Sequence, residues 1–143
     1  MPKSAVSGIN YGRMALGGLA TSFGLLLGEG AVVASLSSRL LAARAATKLP
    51  PSEPQLLLSV VEIGLTGFLT VWVYAAIRPR FGAGPATAVR AALAVWTAAP
   101  LLTTIHMIYD GFGFPASLLL TLAVGLLPVF VLATLLGAWL YRE

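Results

Sequence analysis

The chain contains no cysteine, one histidine, and only five aspartates and glutamates among its 143 residues. Without cysteine there is no disulfide framework, thiolate nucleophile, iron–sulfur cluster or thiolate zinc site, and nothing decisive follows about the redox compartment. One histidine rules out haem ligation by two histidines of one chain, and a metal site would have to gather Glu29, Glu62, His106 and water. No hydroxyl stands in a recognisable relation to a base, and no helix carries a zinc-protease motif. Gly82-Ala83-Gly84-Pro85 is too short and too proline-bounded to cradle a phosphate. The sequence therefore reads as a non-enzymatic protein with no cofactor. Charge is scarce too. Charged residues make up 10% of the chain and hydrophobic ones 58%, with a mean hydropathy of +0.91, so a soluble domain would lack the polar surface to cover itself. The net charge of +4 does not indicate nucleic acid, because the basic residues stand at the ends of apolar segments rather than with aromatics on one face.

What is present is organised around one polar island, Arg78-Pro79-Arg80-Phe81-Gly82-Ala83-Gly84-Pro85. Two arginines stop an incoming helix at the lipid headgroups, and Pro79 forbids its continuation. Gly82 and Gly84 permit the reversal, and Pro85 opens the next helix. Apolar segments at about 12–36, 53–77, 86–109 and 115–141 predict an all-α integral membrane protein, four transmembrane helices in an up-down bundle forming a single domain over 1–143. The first segment is too long for the apolar core of a signal peptide and carries Glu29, so it is read as a retained helix. Ser37 to Lys48 mixes Arg39, Arg44 and Lys48 with leucine and alanine, the composition of a helix lying on the membrane surface. Pro50 and Pro51 end it, and Ser52 with Gln55 has capping-box spacing for the second span.

Pro100 and Pro128 fall near the middle of the third and fourth spans and predict kinks. The freed carbonyls of Trp96 and Val124 need partners in lipid, so both kinks are expected to face protein or water. Lys3, Arg13, Arg78, Arg80, Arg90 and Arg142 gather on one side of this topology, against Arg39, Arg44 and Lys48 on the other. The positive-inside rule then puts both termini and the central turn in the cytoplasm. Trp72, Tyr74, Trp139 and Tyr141 would form the inner aromatic belt, Tyr109 and Phe112 the outer one. Arg78, Arg80 and Arg90 would contact acidic lipid headgroups.

Two repeated patterns bear on packing. Trp72-Val73-Tyr74 with Arg78 echoes Trp139-Leu140-Tyr141-Arg142, and Arg13-Met14-Ala15-Leu16 echoes Arg90-Ala91-Ala92-Leu93, which would make two parallel helical hairpins. The simpler account, that membrane helices commonly end in aromatics and arginines, is preferred. Ala20, Gly24 and Gly28, and likewise Ser117, Thr121 and Gly125, put small side chains on one helix face and invite a second helix to approach.

Ionisable groups inside the spans are few and costly, about 2.5–3.5 kcal/mol for Asp or Lys at a helix centre. Glu29 and Glu62 lie roughly 10 Å, and His106 roughly 5 Å, from the outer ends of their helices at about 1.5 Å per residue. Ser59, Glu62, Thr66 and Thr70 share one side of the second span, and Thr103, His106 and Asp110 one side of the third. Glu29, Glu62, His106, Ser59, Thr66 and Thr103 therefore form a candidate polar or proton site. A carboxyl group withdrawn from water favours its neutral form and can donate a hydrogen bond, so a purely structural link between helices is the preferred reading and the proton site the alternative.

The run Val73-Tyr74-Ala75-Ala76-Ile77-Arg78-Pro79-Arg80-Phe81-Gly82-Ala83-Gly84-Pro85, with Val95-Trp96, Glu29 and the ending Gly137 to Glu143, resembles an uncharacterised family of small bacterial four-helix integral membrane proteins. The resemblance implies a bacterial inner membrane and lends no activity. Small multidrug transporters are similar in having four helices and a glutamate in the first, but their spans are tighter and their helix-four pattern is missing here. Two functions are weighed, the first as the leading expectation and the second as its alternative. The first is a self-associating bundle or accessory subunit of a larger membrane complex, with the lipid bilayer and other membrane chains as partners and no nucleic acid. The second is a proton-coupled small carrier or cation conduit using the intramembrane carboxylates.

Overall fold

The structure, a computed structural model, describes residues 9–47 and 56–141. Helix α1 spans Tyr11–Ser35, α2 Ser37–Ala46, α3 Leu56–Phe81, α4 Pro85–Trp96, α5 Leu102–Tyr109 and α6 Ala116–Leu140, with a π-helical segment at Thr97–Leu101 joining α4 to α5. No strand occurs among the described residues. Among the described residues, four helices are long and apolar enough to cross a membrane: α1, α3, the continuous Pro85–Tyr109 rod, and α6. The protein is an all-α, multi-pass membrane bundle. Around it each helix packs on its neighbours in sequence, α1 on α3, α3 on α4, α4 on α6, and α6 back on α1.

One end of the bundle carries Asn10, the central turn and Tyr141, and is called the turn end below. The opposite end carries α2 and the Asp110–Pro115 turn. Lys3, Lys48, Ser52, Gln55 and Arg142 lie outside the described residues.

Small residues set how closely the helices approach. Lipid removes most of the hydrophobic drive between helices, so van der Waals packing and backbone proximity must hold them. Gly17 of α1 sits against the Gly137 carbonyl of α6, and Gly67 of α3 sits against Ser22 of α1. The Ser22 hydroxyl donates to Gly18 O at 2.8 Å in its own helix and to Gly64 O at 3.0 Å across the interface. Thr21, Thr70 and Thr134 are fully buried, and each donates to the carbonyl four residues back, so burial leaves their hydroxyls satisfied. Leu25, Val95, Phe130 and Ala133 form the mid-bundle core.

The central turn differs from expectation in one respect. Pro79 does not end α3, which continues to Phe81. A proline removes the single hydrogen bond its own N–H would make, a modest loss in a last turn. The stop comes from Gly82, at φ +82, whose N–H still bonds Arg78 O at 2.8 Å before the chain turns away. Gly84, at φ +139, completes the reversal, and Pro85 opens α4 as its first residue.

The tyrosines also depart from the belt reading. Tyr74 and Tyr141 are buried at 4% and 2% exposure and meet edge to face, ring centroids 6.0 Å apart. Each hydroxyl accepts a backbone N–H at the start of a span, Tyr74 from Gly84 at 3.4 Å and Tyr141 from Asn10 at 3.3 Å. Trp72 and Trp139 stay exposed, as the belt requires. The echo between the ends of α3 and α6 therefore has a physical counterpart: each supplies a tyrosine that caps the span beginning beside it.

Pro100 and Pro128 behave differently from one another. Pro100 lies within the π-helical segment, half-buried against the bundle interior. Pro128 sits inside an uninterrupted α6, and both it and Val124 one turn earlier are exposed, so this proline faces away from the bundle rather than into it. Its ring is apolar and suits a lipid-facing position.

Candidate functional site

A cleft of about 420 Å³ opens toward the α2 end of the bundle, walled by α1, α3, the π segment, α5 and α6. Three elements bring polar groups to it. Helix α1 contributes Glu29, half-buried and flanked by Gly28 and Gly30. Helix α3 contributes Ser59, Glu62 and Thr66 from one face, at spacings of three and four residues that stack side chains on a helix. Helix α5 contributes Thr103 and Thr104, and Pro100 lines the cleft just before them. The floor is Phe130, the largest fully buried side chain, with Ala123 beside it. Nearby, the Trp96 indole N–H donates to Ala123 O at 2.9 Å and ties α4 to α6 where the π segment begins.

The π segment explains why the cleft exists. Proline removes a backbone donor and crowds the preceding carbonyl, and widening the helix locally relieves both. Beyond it α5 is no longer packed as α4 is. The α4 helix lies against both α3 and α6, whereas α5 makes its main contacts with the π segment and α6, leaving a gap toward α3. Only Thr104 is buried in α5. Glu62 stands in that gap, exposed, and also lines a shallow apolar groove on the outer face of α3 with Leu58, Val61, Leu65 and Leu69. The cleft thus has a side opening toward the surface that would face lipid.

Five of the six candidate residues, Glu29, Ser59, Glu62, Thr66 and Thr103, are brought together by the fold. The sixth is not. His106 is exposed and does not line the cleft, and its Nε2 lies 3.0 Å from Asp110 Oδ2 one turn on. Four-residue spacing favours this pair over any partner across the bundle. The three-residue metal set of Glu29, Glu62 and His106 is consequently not assembled, and no cluster of three or more metal-ligating acids or histidines occurs among the described residues. Thr70 lies beyond the floor and serves its own helix. Thr104 and Phe130 line the cleft without having been singled out in the sequence, and Pro100, expected there as a kink facing protein or water, lines it as well. Only the proline left a signal there.

At the turn end, Arg80 and Arg90 both stack on Phe81, with guanidinium carbons 5.8 and 4.9 Å from the ring centroid. Arg78 lies over Tyr141 at 5.8 Å, on another side of the turn. The small-residue stripes expected to serve a second chain are used at least in part within this one. Gly24 faces Ala133, Gly28 faces Val129, and Gly125 faces Val32.

Comparison of the chain with protein-family models, with curated proteins and with solved structures finds no match.

Proposed function

We propose that the protein is a non-enzymatic proton-coupled carrier or cation conduit, whose site is the cleft shared by Glu29 and Glu62. The carrying observation is that two carboxylates from different helices line one cavity that also gathers hydroxyls from Ser59, Thr66, Thr103 and Thr104. Intramembrane carboxyls are costly, and two that merely join helices are better served by direct mutual packing than by a cavity around them. The π segment beside the cleft supports the same reading, since such segments occur often at functional sites. A self-associating bundle loses part of its motive, because the glycines of its stripes pack inside the chain.

The test is flux in liposomes under an imposed pH gradient, comparing the parent with Glu29→Gln and Glu62→Gln. Gln preserves size and hydrogen bonding while removing the exchangeable proton and the charge. A hydrogen bond to a charged group is worth ~1.5–3 kcal/mol, so each variant should fall about tenfold or more in proton or cation flux. Both should keep the parent's elution profile and unfolding midpoint. Equal flux in all three proteins would end the proposal.

For orientation, the excess of Arg at the turn end over the α2 end supports a cytoplasmic turn in a bacterial inner membrane, with the cleft opening to the outside. Reporters inserted near Ala83 and near Glu53 are expected on opposite sides of the membrane, with Ala83 in the cytoplasm. Finding Ala83 outside would reverse the direction in which the cleft opens.

A further inference from the structure

We propose that the carboxylate cleft takes a membrane-dissolved primary alkylamine, its ammonium head between Glu29 and Glu62 and its alkyl tail in the groove outside α3. The inference rests on the carrier reading above and names the substrate class for that site. It is carried by a juxtaposition of two cavities. The cleft, about 420 Å³, and the shallow groove on the outer face of α3, about 630 Å³, share two lining residues, Glu62 and Thr66. The rest of the groove is Leu58, Val61, Leu65 and Leu69. A polar chamber and an apolar channel therefore meet at one carboxylate.

Three features specify the occupant. The first is charge: Glu29 of α1 and Glu62 of α3 line one cavity, and a cation is the complementary ligand. The second is head chemistry. Thr66 and Thr103 add hydroxyl oxygens to those of the two carboxylates, so the cleft is rich in acceptors, and a primary ammonium brings three donors to them. A quaternary ammonium brings none and is commonly held by an aromatic cage, whereas the cleft's aromatic lining residues are Phe114 and the buried floor, Phe130. An inorganic cation would leave unused both the groove and the apolar lining of Val33, Leu122 and Leu126. The third is tail direction. From Glu62 to Leu69 the groove runs about 10 Å toward the turn end at about 1.5 Å per residue, the reach of an octyl chain. Trp72 follows three residues on along the same face and is half-exposed. An amine in the leaflet at the α2 end has its head outward and its tail toward the bilayer centre, which is the direction in which the groove leads. Its head enters the cleft through the side opening beside Glu62.

The experiment photolabels the full chain, in nanodiscs of phosphatidylcholine, with dodecylamine carrying a diazirine at its tail end, and locates the label by peptide mass. Label is expected on α3 between Leu65 and Trp72. Dodecylamine should displace it at about tenfold lower mole fraction than dodecanol, which has the same tail and no charge, and dodecyltrimethylammonium should fall between them. Glu62→Gln should bring the preference for amine over alcohol to near one. Thr66→Val removes a hydroxyl at the junction while keeping the side chain's shape. It should lower the preference about threefold, and it carries the test if Glu62→Gln fails to fold. Equal displacement by amine and alcohol in the parent, a preference that the folded variants keep, or label spread equally over the exposed Leu132 and Leu136 of α6 would overturn the inference. A quaternary competitor as strong as the primary amine would overturn it too. The liposome flux test stands apart. Flux that depends on both glutamates without an amine preference ends this inference alone, and an amine preference without flux ends the carrier reading alone.

Discussion

Gly137→Ala is expected to destabilise the bundle by about 2 kcal/mol, a large effect for the addition of one methyl group. A Cβ at this position would fall onto the Thr21 hydroxyl, 2.6 Å from the Gly17 carbonyl oxygen and 3.0 Å from a Val71 methyl. None of these can yield cheaply. Thr21 and Val71 are fully buried, the Thr21 hydroxyl is already bonded to Gly17 O at 2.9 Å, and Gly17 O belongs to the backbone of α1. Overpacking typically costs ~1–3 kcal/mol, and an immovable backbone puts this site at the upper end. Alanine's better helix propensity returns ~1 kcal/mol. Gly64→Ala supplies the contrast, since nothing lies within 4 Å of its added Cβ, and it should be neutral or gain up to ~1 kcal/mol. Equilibrium unfolding in mixed micelles measures both. A Gly137→Ala variant as stable as the parent would show that α1 and α6 can separate without loss.

Phe130→Ala is expected to cost a similar amount by the opposite route. In a soluble core a Phe→Ala change costs ~3–5 kcal/mol, part of it transfer from water. Here the separated helices also sit in lipid, so most of the transfer contribution disappears and the cavity contribution remains. Removing roughly 100 Å³ of side chain at ~24 cal/mol per Å³ gives about 2.4 kcal/mol. The ring also floors the carboxylate cleft, so the void would join the cleft and enlarge it. Unfolding in mixed micelles checks the stability, and flux under the liposome protocol should change as well. A stability loss below about 1 kcal/mol would mean that neighbours collapse into the space.

The spans, the central turn and the five cleft residues could be read from the sequence because each rests on short-range chemistry. Apolar length marks a span, glycine and proline mark a turn, and spacings of three and four put Ser59, Glu62 and Thr66 on one face. What could not be read depends on which face meets which. Gly17, Gly67 and Gly137 look like any other glycines in a chain that has fifteen, and their role appears only when α1 and its neighbours are docked. Tyr74 and Tyr141 carry the spacing of an interfacial belt, yet adjacent helix ends bury them against one another. His106 has two outlets for its ring, across the bundle or along its own helix, and spacing alone does not choose between them. Asp110 one turn away decided it. Pro79 shows that a helix breaker near a helix end can be absorbed, while the glycine after it makes the stop.

The hydrogen bond between Asn10 and the Tyr141 hydroxyl joins residues 131 positions apart and makes the four spans a nearly closed ring. Bringing the ends of so long a chain together carries an entropic cost whose length-dependent part is (3/2)RT ln n, about 4 kcal/mol. One neutral hydrogen bond contributes ~0.5–1.5 kcal/mol, too little to hold the ring shut. Closure must come from the long seam of α1 against α6, where Gly17, Gly24 and Gly28 meet α6. The tyrosine then acts as a vernier: once the seam has formed, its bond distinguishes the correct axial setting of the first span against the last from one slipped by a helical turn, about 5.4 Å away.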